Sequence, residues 1–304
     1  MKIILSNPRG FCAGVVRAID IVELTLEKYG APVYVKHEIV HNAKVVEEVE
    51  KKGAVTVENV EEVPDNSIVI FSAHGSDPKD FSKAQKKNLK IIDATCPLVT
   101  KVHNEAIKYS KEGKKIILVG HRGHQEVKGT MGQTSMTLID ETESWTLDNI
   151  KSEEEVAILT QTTLSVEDTS KAVKQIKTKF PTAVVRNDIC YATTNRQDAV
   201  KELALKTDLV LVIGSQNSSN CKRLQEVSES IGTPSFLIMN PDEIHPEWLE
   251  GKETIGITSG ASTPEGMVRK VVQFLQPKKL TSIDGTPENI TFKLPKELQK
   301  YYKL

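Results

Sequence analysis

The sequence has no long hydrophobic run, few cysteines and no surplus of charge of either sign. Each shortage excludes something. No stretch approaches the roughly 18 apolar residues of a membrane span. The N-terminal MKIILSNPRGF carries one Lys and the short apolar run IIL, less than the apolar region of a signal peptide needs. A cytoplasmic protein that uses no membrane is expected. Four cysteines in 304 residues make no disulfide framework, and in a reducing compartment their uses are packing, metal binding or catalysis. Lys+Arg 40 against Asp+Glu 41 leaves a formal net charge of −1, so no bulk field points to nucleic acid. Neither a GxxxxGK[ST] loop nor a GxGxxG after a strand occurs, so a nucleotide or NAD site lacks its usual signature.

What the chain does have is alternation. KIIL, PVYV, SIVIF, LKIID, KKIILV, VAIL, AVV, LVLVI, SFLI and TIGI are candidate strands. Between them VVRAIDIVELTLEKYG, VHNEAIKYSKEG, VEDTSKAVKQIKTKF, NRQDAVKELALK and PEGMVRKVVQFL place apolar residues at helical intervals. Such βα alternation argues for an α/β protein with mostly parallel sheets. The length suggests two or three domains.

Three cysteines fall at one kind of junction, between an apolar run and a helical pattern: Cys12 in GFCAGVVRA, Cys96 in DATCPLV and Cys190 in DICYATTNRQ. Backbone N–H groups at such a turn favour the thiolate, and hence nucleophile or metal-ligand chemistry. The intervals are 96 − 12 = 84 and 190 − 96 = 94, each a small domain in length. Other polar turns recur at matching offsets. His41 lies 41 − 12 = 29 after Cys12, His124 lies 124 − 96 = 28 after Cys96, and Ser218 lies 218 − 190 = 28 after Cys190. A later strand end gives His74, Thr162 and Ser262, at 74 − 12 = 62, 162 − 96 = 66 and 262 − 190 = 72. The chain reads as three similar units, each with one cysteine and two polar strand-end loops. The competing reading is that βα proteins have many strand ends and some must carry Cys or His.

Parallel sheets bind ligands beyond the carboxyl ends of their strands, so three thiolates and a ring of polar side chains around a common axis suggest a metal and an anion. Zinc fits poorly, because its structural sites use four ligands at short spacings such as CxxC. A 4Fe–4S cluster accepts widely separated cysteines, and three would leave one iron open. SQNSSN opens a helix after LVLVIG, a good phosphate site, and His41, His74 and His124 add charge-assisted donors for a diphosphate. Glu126, two residues past His124, reads equally as a proton donor or as a first-turn acid complementing the helix dipole. Cys221 in SSNCKR falls where the other thirds have Ala43 and Val127, and reads as packing. His37, His103, His121 and His245 have no counterparts across the thirds and read as ordinary surface or core histidines. VVEEVEKKG and KSEEEV read as solvated faces.

In order along residues 3 to 275, GFCAGVVRA, VHN, SAHG, DATCPLV, GHRGHQEV, QTTLS, DICYATTNRQ, GSQNSSN and TSGAS resemble the 4-hydroxy-3-methylbut-2-enyl diphosphate reductase family. The resemblance implies three α/β domains about a pseudo-threefold axis: 13–96, 97–190, and 191–276 with the N-terminal strand 1–12. The tail, 277–304, with two short strand-like pieces, is expected to pack across domains. The resemblance also implies a central 4Fe–4S cluster on Cys12, Cys96 and Cys190 with one open iron, and electrons from a reduced ferredoxin or flavodoxin. The implied reaction is reductive dehydration of the hydroxylated diphosphate to isopentenyl and dimethylallyl diphosphate, the last step of the methylerythritol phosphate route. His41, His74, His124, Ser218, Ser219, Asn220 and Ser262 would hold the diphosphate. Glu126 would deliver protons, with Thr162 close to the substrate hydroxyl as part of the relay, and His124 would count with these two as catalytic. Two other classes compete: an iron–sulfur sensor for a phosphorylated metabolite, which needs no proton donor, and a colourless zinc hydrolase.

Overall fold

A computed structural model describes residues 1–301. β1 (Lys2–Asn7) leads into α1 (Ala13–Tyr29). Then come β2 (Val33–Lys36), α2 (Ala43–Lys51), β3 (Ala54–Val57), β4 (Ile68–Phe71), α3 (Pro78–Lys86) and β5 (Lys90–Asp93). After α4 (Pro97–Lys111) follow β6 (Lys115–Val119), α5 (Gln125–Met131), β7 (Thr137–Ile139), β8 (Val156–Thr160), α6 (Val166–Lys179) and β9 (Val184–Val185). After α7 (Tyr191–Ala204) follow β10 (Leu209–Ile213), α8 (Ser219–Ser230), β11 (Ser235–Ile238), α9 (Pro246–Leu249), β12 (Thr254–Ser259), α10 (Glu265–Leu275) and β13 (Lys279–Asp284).

The strands make three parallel sheets, ordered β3-β2-β4-β5, β7-β6-β8-β9 and β11-β10-β12-β1-β13. The first four positions follow one plan. In each sheet the chain leaves one central strand for an edge strand and returns on the other side, so the order reverses between β2 and β4, β6 and β8, and β10 and β12. Parallel α/β sheets bind their ligands at such reversals. The fourth strand in every case, β5, β9 or β1, runs into a cysteine and a helix. The N-terminal strand is borrowed by the third sheet, as the repeat required, pairing with β12 from Lys2↔Thr254 to Leu5↔Ile257.

The strands read as continuous apolar runs because helices cover both faces. In β10, Leu209, Leu211 and Ile213 enter one core with Ile3, Ile255 and Ile257, while Val210 and Val212 enter another with Ile4, Leu203 and Cys221. The sheet containing β6 divides likewise, with Ile117 and Val119 on one side and Ile116 and Leu118 on the other. β3 and β7 escaped sequence reading because they are short edge strands, and Val55 in β3 is itself exposed. VVEEVEKKG is largely α2: its glutamates face solvent, while Val45 and Val49 are buried.

Of the two strand-like pieces expected in the tail, only one pairs. β13 lies along β1 from Lys2↔Lys279 to Asn7↔Asp284. The second piece, ITFKL, forms no ladder; there the Lys293 and Glu297 carbonyls accept from Arg17 Nε (2.8 Å) and Lys28 Nζ (2.7 Å). The chain divides into two compact units. Met1–Val15, His41–Val45 and Cys190–Thr291 hold the third sheet; Val16–Val40, Val46–Ile189 and the chain from Phe292 hold the other two. Among the described residues no helix is long and apolar enough to cross a membrane.

Candidate functional site

In the first unit, Cys12 immediately precedes α1, and its N–H donates to Ala261 O at 3.1 Å. Cys190 is the N-cap of α7, with Sγ 3.2 Å from Thr193 Oγ1. Tyr191 lies by both. Its Oη accepts from Ala13 N at 3.3 Å. Burial pushes its phenol up to about 12, and Cys12, Glu288 and Cys190 add to the rise. The turn carrying Cys12 is held from below by Arg196, which is fully buried and donates to Gly10 O at 2.8 Å and to Glu288 at 2.7 Å. Gly10 sits at φ +71°, a conformation that favours glycine.

The same unit builds a cradle where β10 and β12 end. Ser218 caps α8, its Oγ accepting from Cys221 N at 3.4 Å. Ser219 and Asn220 follow, both buried. Neither the Nδ2 nor the Oδ1 of Asn220 has a hydrogen-bond partner among the described residues, an arrangement that costs about 1–3 kcal/mol per buried group unless a ligand completes it. Ser262 Oγ donates to His41 O at 3.0 Å, joining the strand-end loop to the segment bearing His41. Cys221 lies beneath this cradle. A Cβ at Gly214 or Gly260 would stand 2.2 or 2.1 Å from its Sγ, so only bare backbone fits over the sulfur. Burial raises its thiol, keeping it neutral. It is the packing residue the sequence suggested.

In the second unit, His124 caps α5, with Nδ1 accepting from Glu126 N at 3.2 Å. Glu126 points inward and is 3% exposed. Its Oε1 accepts from Thr162 N at 2.7 Å and its Oε2 from Thr162 Oγ1 at 2.9 Å. Burial pushes this carboxyl up to about 7, with Asp188 adding to the rise and the two Thr162 donors opposing it. At neutral pH it exists in both protonation states, as proton transfer requires. The His74 ring lies 6.3 Å from that of His124 and 5.7 Å from that of His37. Cys96 caps α4 and donates from its N–H to Ala73 O at 3.0 Å, the counterpart of the Cys12 hook onto Ala261.

Backbone register refines the repeat by one residue. Val119 pairs with Thr160 as Ile213 pairs with Ser259, and the next N–H groups, of Gln161 and Gly260, donate back to Val119 O and Ile213 O. Counting from these bonds, Ser262 corresponds to Thr163 and to His74, and Thr162 corresponds to Ala261. Thr162 reaches Glu126 from that preceding position. Sequence reading missed Tyr191, Arg196 and Asp188, although all three flank Cys190 in NDICYATTNRQ. His103 packs under Gly75: a Cβ there would be 2.8 Å from His103 Cε1. Burial pushes its imidazole down to about 4, so it supports the His74 turn as a neutral ring. His121 pairs with Glu141 at 3.0 Å, and His245 lies against Trp248 at 4.7 Å.

The donor set fits a thiolate-bound metal. Cys12, Cys96 and Cys190 stand at corresponding helix starts, outside any disulfide and partly accessible, whereas Cys221 is sealed in a core. Fold and site together define a parallel α/β protein with a carboxyl buried at one helix start, an unpartnered amide buried at another, and three partly accessible thiols at corresponding helix starts. The chain belongs to the LytB family: the model for LytB protein matches residues 3–276. The 4-hydroxy-3-methylbut-2-enyl diphosphate reductases of Actinobacillus pleuropneumoniae serotype 3 and Ectopseudomonas mendocina are 52% and 51% identical to it, over 98% of this chain and 98% and 99% of theirs. A solved E-1-hydroxy-2-methyl-but-2-enyl-4-diphosphate reductase from Plasmodium falciparum matches with TM-score 0.94 and 40% identity, covering 99% of this chain and 97% of that one. Another solved structure, of (E)-4-hydroxy-3-methyl-but-2-enyl diphosphate reductase, the terminal enzyme of the non-mevalonate pathway, gives TM-score 0.66 at 34% identity, with 91% and 99% covered. The resemblance drawn from the motifs is thereby borne out, and membership implies a metal cofactor.

Proposed function

We propose that this chain is a cytoplasmic reductase that removes the hydroxyl of 4-hydroxy-3-methylbut-2-enyl diphosphate, giving isopentenyl and dimethylallyl diphosphate. The geometric observation that carries the reading is the Glu126–Thr162 pair, a buried carboxyl near neutrality held in one orientation by two donors from one residue. Cys12, Cys96 and Cys190, each in the turn between the fourth strand of a domain (1–12 with 191–276, 13–96 and 97–190) and the following helix, would hold a 4Fe–4S cluster with one iron free of protein thiolate. Bound there, the cluster supplies single electrons and Lewis acidity toward a hydroxyl oxygen.

The chain's own residues supply the remainder. Ser218, Ser219 and Asn220 would donate to the diphosphate at the start of α8, where the helix dipole also favours negative charge, and Ser262 would join them by turning its hydroxyl from His41 O. His41, His74 and His124 would add ring N–H donors. With His124 Nδ1 accepting from Glu126 N, the hydrogen of the neutral ring is on Nε2. Glu126 would protonate the departing hydroxyl, converting a poor leaving group to water, and Thr162 would hold its carboxyl in place. Electrons would come from a ferredoxin or flavodoxin.

Anaerobic purification with iron and sulfide counting, then assay of the hydroxylated diphosphate with a reduced viologen dye, tests the reading. About four irons per chain and product formation are expected. A chain without iron after anaerobic reconstitution overturns it.

A further inference from the structure

The tail beyond residue 276 lies outside the match to the LytB model, yet it is tied closely to the loop that carries Cys12. β13 pairs with β1 as far as Asn7↔Asp284, and Gly285 N then donates to Asn7 O at 2.8 Å. A Cβ on Gly285 would stand 2.9 Å from that oxygen, so this approach needs bare backbone. Three residues on, Glu288 Oε1 accepts from Arg196 Nη1 at 2.7 Å and from Asn195 Nδ2 at 3.3 Å. The Arg196 side chain is 0% exposed and that of Glu288 12%.

Arg196 stands on α7, whose N-cap is Cys190. Its Nη1 also donates to Ala192 O at 3.1 Å, which fixes the guanidinium against its own helix, while its Nη2 donates to Gly10 O at 2.8 Å. Tyr191, from the first turn of the same helix, accepts from Ala13 N at 3.3 Å. α7 thus carries one thiol and grips the turn bearing another on either side of Cys12. The other ties of that turn come from the end of β12 and the loop after it: Gly10 N donates to Ser259 Oγ at 2.9 Å and Cys12 N to Ala261 O at 3.1 Å. All of these residues belong to one compact unit. Glu288 is also close enough to act, with Cys12 and Cys190, on the phenol of Tyr191. A guanidinium taken wholly out of water needs an anion, and removing one partner of a buried pair disrupts far more than replacing both by apolar groups. Glu288 supplies that anion. Without it Arg196 gains by turning toward water, and turning releases Gly10 O.

We propose that Glu288 of the tail is a positioning residue for the metal site, fixing through Arg196 the turn of Cys12 relative to Cys190 at the head of α7. The proposal rests on the reading of these two cysteines as cluster ligands. Thiolates from distant parts of a chain must be held at a fixed spacing to share one cluster, and partners behind the ligands set that spacing. Here the partner is a buried ion pair whose acid comes from outside the matched part of the chain.

Amide hydrogen exchange in the full-length, iron-free chain tests the clamp without the cluster. Glu288→Gln keeps size and removes the charge. In that variant the protected amides of the peptide spanning Arg9 to Val15 are expected to exchange at least about tenfold faster, while the peptide after Cys96 exchanges as in the wild type. In the iron-loaded protein, loss of iron to a chelator should quicken by at least about tenfold. Arg196→Met/Glu288→Leu removes both charges and keeps apolar bulk. Its thermal midpoint should return close to that of the wild type, while the turn still exchanges fast and iron is still lost fast, because no donor reaches Gly10 O. Glu288→Asp keeps the charge and should fall between wild type and Glu288→Gln in both readouts, which serves should the other variants fold poorly. A pair that only stabilised the fold would recover exchange, iron retention and midpoint together in the double variant; that result overturns the proposal, as does wild-type exchange in Glu288→Gln. A wild-type chain that takes up no iron overturns the cluster reading instead, and exchange in the iron-free chain still decides the clamp.

Discussion

The starts of α5 and α8 are built on one backbone plan and dressed for different chemistry. Each follows a central strand through a glycine, Gly120 or Gly214, whose N–H donates to the adjacent edge strand. Each has an N-cap side chain that accepts a backbone N–H, His124 or Ser218. Two residues on stands a buried polar side chain, Glu126 or Asn220, and one further a packing residue beneath the glycine, Val127 or Cys221. The difference lies in what meets the buried polar group. Glu126 is met by both donors of Thr162; Asn220 is met by the bare backbone of Gly260, and its amide has no partner among the described residues. One helix start thus buries a carboxyl met by two donors, and the other buries an amide that meets none.

Exchanging Glu126 for Gln keeps shape and size but removes the proton, so kcat is expected to fall at least about 100-fold with KM little changed, read by steady-state assay with reduced dye. Unchanged turnover would take the proton donor's role away from Glu126. The wild-type profile follows from the raised pKa. The acid form prevails below about pH 7 and is lost above it, so kcat falls on the alkaline side. Thr162→Val removes a donor to the carboxylate, raising the Glu126 pKa further, and should move that limb to higher pH.

Gly260→Ala attacks the other helix start. The new methyl would meet Cys221 Sγ at 2.1 Å, pushing apart the loop and α8 where the diphosphate would sit. KM is expected to rise at least about tenfold, and adding Cys221→Ala should recover part of the loss, because the obstructing sulfur is then gone. No recovery would locate the damage in the glycine's backbone alone. Asn220→Ala is milder. Deleting donors to one anionic group costs about 1.5 kcal/mol, so KM should rise about tenfold with kcat within about twofold.

The repeat was legible because it is carried by polarity at strand ends, which sequence displays directly: Cys12, Cys96 and Cys190, then Ser218, His124 and Glu126. What could not be read was contact. Thr162 was picked out by an offset that matches it to Ser262, yet register pairs Ser262 with Thr163, and Thr162 reaches Glu126 through the loop in which Gln161 replaces Gly260. Arg196 reads as a routine helix charge in NRQDAV, and only folding buries it under Gly10. β3 and β7 lacked signal because edge strands need little hydrophobicity. The second tail segment had strand-like composition without a neighbouring strand to pair with.

The smallest effect separates Cys221 from the other three cysteines. It stands at the position of Val127 and fills a core with Leu203, Val212 and Leu224, so it acts as a small hydrophobe. Cys221→Ala removes one sulfur from that core and is expected to cost about 1 kcal/mol, read from the urea midpoint. Iron content should match the wild type, because a neutral thiol sealed beneath Gly214 and Gly260 offers no thiolate. Cys96→Ala, at a helix start with an accessible thiol, should lose iron under the same anaerobic conditions. If the two variants lost iron equally, the division between one packing cysteine and three ligands would fail, and with it the distinction between a sulfur beneath the cradle and sulfurs at the strand ends.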